Sequence, residues 1–149
     1  MYPFRATYDF ECYFTKDDLP SGKGTKTTYI AKHIPLSFSV ASNIPGYEDA
    51  KCFITDGDPQ ALVDKLGDYL ETLSDHAYSI LKNGAFSEAY SYFDNHNTEK
   101  EKVMLDTYLA QLPVVGFNNG RYDIAMTKKF FVARFLIDDV DDDNEKYII

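Results

Sequence analysis

The chain has 149 residues, 44% of them hydrophobic, with 12 Tyr and 11 Phe, enough apolar material for one core and unlike a disordered segment. Its 24 acids against 15 lysines and arginines leave a formal charge of −9, which argues against a free-standing nucleic-acid binder, because phosphate neutralisation by Lys and Arg dominates such affinity. Two distant cysteines, Cys12 and Cys52, exclude a disulfide framework, and without a hydrophobic leader or a long apolar run nothing marks secretion or membrane insertion; both thiols are expected to be reduced, buried filler in an intracellular protein.

From the amino terminus, Phe4 to Phe14 is dense in aromatic residues with Asp9 and Glu11 interposed, and predicts a strand. Thr15 to Lys26, with Pro20, Gly22 and Gly24, predicts an exposed turn or hairpin tip. Ile34 to Asn43 alternates, Leu36, Phe38 and Val40 on one face and Ser37 and Ser39 on the other, as a strand does. Pro45-Gly46 is a turn signal, and Lys51 to Thr55 is a short strand able to pair back.

Asp58 then stands as an N-cap with Pro59 at the first helical position. Leu62, Leu66, Tyr69, Leu70, Leu73, Ala77, Ile80 and Leu81 recur at helical spacing up to an Asn83-Gly84 C-cap. Two further helices are expected over Phe86 to Phe93 and Glu99 to Gln111, the second burying Val103, Met104, Leu105, Tyr108 and Leu109. Pro113 to Phe117 is continuously apolar, which predicts a buried, central strand. It feeds the loop Asn118 to Arg121, and a helix follows from Asp123 to about Leu136, packing through Ile124, Met126, Phe130, Phe131, Ala133 and Phe135.

Three strands, helices, a strand and a helix predict an α/β domain with a mixed sheet flanked by helices. One domain is expected over 1–149, with an acidic and loose tail over 138–146. Lysines 16, 23, 26, 32, 128 and 129 and Arg134 read as solvated charge, with contact to phosphate as the alternative. His33, His76 and His96 lack a paired metal spacing, and no catalytic role falls to them.

Two groups could do chemistry. Asp9 and Glu11, two apart on a strand, project from one face, and carboxylates so close suit a hard divalent cation such as Mg²⁺ or Mn²⁺; the alternative is the solvent face of an edge strand. The run Gly116 to Asp123 ends a buried strand in a turn and sets a carboxylate at a helix start, a place where open α/β sheets bind ligands. Asp123 as a plain helix-terminal charge is the alternative there.

Together these groups resemble something specific. Tyr2 to Cys12, with Asp9-x-Glu11 at its centre, resembles the first exonuclease motif of family B DNA polymerases, and Phe117 to Asp123, with Asn119-x-x-Tyr122-Asp123, resembles the second. The run His33 to Val40 and the turn Asp56-Gly57-Asp58-Pro59 are similar to the protein-primed branch found in viruses, linear plasmids and DNA transposons. The resemblance implies an RNase H-like fold and a two-metal 3′→5′ exonuclease acting on the 3′ end of single-stranded DNA. It implies Asp9 bridging two Mg²⁺ or Mn²⁺ ions, Glu11 on the water-activating ion, Asp123 supporting the other, and Asn119 and Tyr122 positioning the frayed 3′ end.

The third motif of that family, Tyr-x-x-x-Asp, and its polymerase motifs are not found in these residues. The expectation is therefore a partial exonuclease domain, truncated before its last strand-helix unit, whose partner is the remainder of a polymerase chain. On its own it is expected to make no DNA and to show weak or no exonuclease activity. A non-catalytic remnant and an unrelated acidic α/β binding module are the competing readings.

Overall fold

The structure, a computed structural model, describes residues 1–16, 30–96, 98–116 and 124–138, without the side chains of 135–138. Its elements are β1 (Ala6–Thr15), β2 (Lys32–Ser42), β3 (Lys51–Ile54), α1 (Pro59–Asn83), α2 (Ser87–Asn95), α3 (Glu99–Leu109), β4 (Val114–Gly116) and α4 (Ile124–Asp138). The four strands form one mixed sheet in the order β3-β2-β1-β4. The chain is thus α/β, with each element of the expected order present among the described residues. The turn expected at Thr15 to Lys26 falls mostly outside them, as do the loop at 118–121 and the tail beyond Asp138.

Hydrogen bonds fix the strand directions. Asn43 N–H donates to the Arg5 carbonyl at 3.3 Å, and the Thr7 hydroxyl to the Ala41 carbonyl at 3.3 Å. Partner numbers fall along β2 as they rise along β1, so these two strands are antiparallel. The Pro45-Gly46 turn is type II, with Gly46 at φ 86° and Tyr47 N–H closing on the Ile44 carbonyl at 2.9 Å, a geometry that needs glycine at its third position. Thr55 N–H, just past β3, donates to Leu36 at 3.4 Å, as an antiparallel return onto β2 requires. β4, in contrast, runs parallel to β1, with Ala6 opposite Val114, Thr7 opposite Val115 and Tyr8 opposite Gly116.

Two compact units share these elements. The first comprises Met1–Asp9, Ser39–Cys52 and Leu66–Phe117, and the second Phe10–Phe38, Phe53–Lys65 and Asn118–Ile149. In the first, Leu81, Tyr90 and Leu109 form a buried cluster joined by Tyr2, Phe4, Tyr78, Phe86 and Leu105. There too the Tyr47 ring lies 5.0 Å from His76 and 6.4 Å from Tyr69 of α1. In the second, Phe38 packs between Phe10 at 5.9 Å and Phe53 at 4.6 Å, the latter ring stacked.

Helix α1 begins as its sequence directs. One carboxylate oxygen of Asp58 accepts from the N–H groups of Gln60 at 3.0 Å and Ala61 at 3.1 Å, which satisfies two of the donors a helix start leaves open. Asp58→Ala is expected to cost about 1 kcal/mol, read as a lower denaturation midpoint at unchanged slope. Leu62, Leu66, Tyr69, Leu73, Ala77 and Leu81 of the expected stripe are buried, together with Val63. At the other end Gly84 is needed for space, because a Cβ there would stand 2.8 Å from the Ile80 carbonyl oxygen.

Several burial expectations are corrected. β4 is the edge of the described sheet, not a central strand, and Val114 and Val115 are accordingly exposed. In α3 only Leu109 is buried, while Val103, Met104 and Tyr108 are exposed, since only the flank carrying Leu105 and Leu109 meets Leu81 and Tyr90. Leu36 is exposed whereas Phe38 and Val40 are buried. Cys52 is exposed and Cys12 only half-buried; in the short edge strand β3 the alternation turns Phe53 inward and Cys52 outward. Ile124, expected to pack, is exposed at the start of α4.

Candidate functional site

β1 has two unlike faces. Ala6, Tyr8 and Phe10 are buried, whereas Thr7, Asp9 and Glu11 are exposed, the alternation that a strand with one covered face must show. Asp9 and Glu11 therefore leave β1 from the same, open face, as their spacing predicts. The Phe10 between them anchors the strand from behind through its contact with Phe38.

Asp9 lines a hollow of about 470 Å³ with Thr7, Ser39, Ala41, Ala50 and Val115. It is the only carboxylate among the described lining residues, the others being apolar or uncharged polar. The register of β4 shapes this site. Val115 lies opposite Thr7 and Gly116 opposite Tyr8, so the chain leaves β4 one residue short of the level of Asp9. A parallel strand is what makes this possible, because its carboxyl end then points the same way as that of β1.

Asn119, Tyr122 and Asp123 lie outside the described residues. Among the described residues no three His, Cys, Asp or Glu side chains are grouped to hold a metal ion. Asp9 and Glu11 offer the hard, anionic oxygens that Mg²⁺ or Mn²⁺ prefers, and a site built on them needs at least one further ligand.

A polar cluster that sequence reasoning missed ties three helices together in the first unit. The Asp106 carboxylate of α3 accepts from the Tyr78 hydroxyl of α1 at 2.6 Å and from the Tyr90 hydroxyl of α2. Lys82 donates to the Tyr78 hydroxyl at 2.9 Å, and its ammonium lies 4.7 Å from the centre of the Tyr90 ring. The two phenols hold the Asp106 carboxyl below the usual carboxylate range, and burial with the bond to Asp106 pushes the Tyr90 phenol up. The one signal in the sequence is Tyr78-x-x-x-Lys82, a helical neighbour pair; the link to Asp106 is tertiary.

No family model, no curated protein and no solved structure matches the chain.

Proposed function

We propose that the chain is the amino-terminal part of an RNase H-like 3′→5′ exonuclease domain of a family B DNA polymerase, of the protein-primed kind. Its role in the intact enzyme is two-metal hydrolysis of the terminal phosphodiester at the 3′ end of single-stranded DNA. The observation that carries this reading is the parallel register of β1 and β4. It ends β4 at Gly116, opposite Tyr8 and beside the first acidic strand. A three-strand meander whose first strand is then joined on its free edge by a parallel strand, reached through helices, also suits an RNase H-like sheet.

Asp9 and Glu11 would hold the ions together with Asp123, and the ions would supply an activated water and neutralise the charge that develops on the leaving 3′ oxygen. Asn119 and Tyr122 would orient the strand end. The exposure of Asp9 and Glu11 on one strand face supports the donor set. The third motif of the family is missing from these residues, so the carboxylates here make a partial site, which binds metal more readily than it turns over DNA.

Titration with Mn²⁺, followed calorimetrically, tests the reading. The full chain is expected to bind the ion, and Asp9→Ala, Glu11→Gln and Asp123→Asn each to weaken binding about tenfold or more. Binding that is absent, or indifferent to all three substitutions, would leave only an acidic α/β fold.

A further inference from the structure

The second unit holds a basic hollow of about 630 Å³, within the range of roughly 300–1,000 Å³ of ligand sites. One wall is the start of β2, with Lys32, His33 and Pro35; the other is α4, with Lys128, Lys129 and Phe130. No carboxylate lines it among the described residues. In a chain of 24 acids and 15 lysines and arginines, a concavity with three lysines and no acid runs against the overall composition.

Aromatic surface accompanies the charge. Phe14 is 66% exposed, and its ring meets that of His33 edge-on at 4.5 Å. On the other wall the Lys129 ammonium lies 4.6 Å from the centre of the Phe130 ring. Lysines on two walls suit successive phosphates of a strand passing between them, and the exposed rings of Phe14 and His33 beside Lys32 offer surface for unpaired bases. The α4 wall is also held in place: Gln60 of α1 donates to the Phe130 carbonyl at 3.0 Å, and Arg134 to the Asp64 carbonyl at 3.2 Å.

The geometry points to this hollow as a sequence-independent binding site for single-stranded nucleic acid, gripped through its phosphodiester backbone. The site uses neither Asp9 nor Glu11 and needs no metal ion. It stands apart from the nuclease reading and survives if that reading fails.

The test is fluorescence anisotropy of a labelled oligothymidylate with the full chain, in EDTA and at low salt. Binding is expected to fall steeply with salt, to weaken about tenfold or more in Lys128→Glu/Lys129→Glu and in Lys32→Glu, and to persist in Lys128→Arg/Lys129→Arg. Circular dichroism separates loss of charge from loss of fold, and if the α4 glutamate pair unfolds, Lys32→Glu and the arginine pair decide. Equal affinity in the glutamate and arginine variants overturns the proposal. So does displacement of the oligonucleotide by inorganic phosphate at comparable concentration, which would define a simple anion site.

Discussion

Phe38→Ala is expected to destabilise the protein by about 3–5 kcal/mol, the largest single effect in the second unit. Phe38 is 1% exposed, stacked on Phe53 and in contact with Phe10, so truncation leaves a cavity between two rings that strands hold in place. A domain of this size is stable by roughly 5–15 kcal/mol, and a loss of this order should leave a substantial unfolded fraction. The check is chemical denaturation with Tyr fluorescence and amide exchange: protection along β2 should collapse. A loss below about 1 kcal/mol would mean that Phe38 does not pack as described.

Asp106→Ala is expected to cost about 3 kcal/mol, from two charge-assisted hydrogen bonds at roughly 1.5 kcal/mol each. Two phenols, one of them on the buried Tyr90, would lose their shared acceptor. Tyr78→Phe removes one bond and should cost about half as much. The same cluster sets a pH dependence. The carboxyl of Asp106 is held below its ordinary value of 3.8, so its contribution is present above that value and disappears as pH falls through the lower, folded one. The phenol of Tyr90 is pushed above its ordinary 10.0, so its contribution is present below about pH 10 and erodes as pH rises beyond it. Denaturation midpoints measured across pH should show both losses in the wild type. In Asp106→Ala the acid loss should shrink; an unchanged acid limb would assign it to other carboxylates.

Much of the architecture was legible because local chemistry and tertiary placement agree. Asp58-Pro59 starts α1 where capping rules put it, and the acids of β1 fall on the open face that a period of two dictates. Burial was harder to read where an apolar residue had no partner to cover it. Val115 looks like a central strand residue by composition, but its exposure depends on what lies past the edge of the sheet. Met104 and Val103 obey helical spacing, yet among the described residues α3 packs through the flank of Leu105, Asp106 and Leu109. The Tyr78, Tyr90 and Asp106 cluster joins positions on three helices, and no window of sequence contains it. Of the candidate catalytic residues, the placements of Asp9 and Glu11 were legible from alternation, while Asn119, Tyr122 and Asp123 lie on residues the structure does not describe.

The pairing of β1 with β4 also bears on assembly in time. Ala6 N–H finds its acceptor at Pro113, 3.0 Å away, across most of the polypeptide. That bond cannot form on the ribosome until the segment through Gly116 has emerged, so one margin of the first strand waits while the meander and α1 take shape. Loop closure over such a span is slow relative to helix formation. The nascent chain should therefore pass through an interval in which a bare strand margin is open to other chains, the stage at which a chaperone would be of most use.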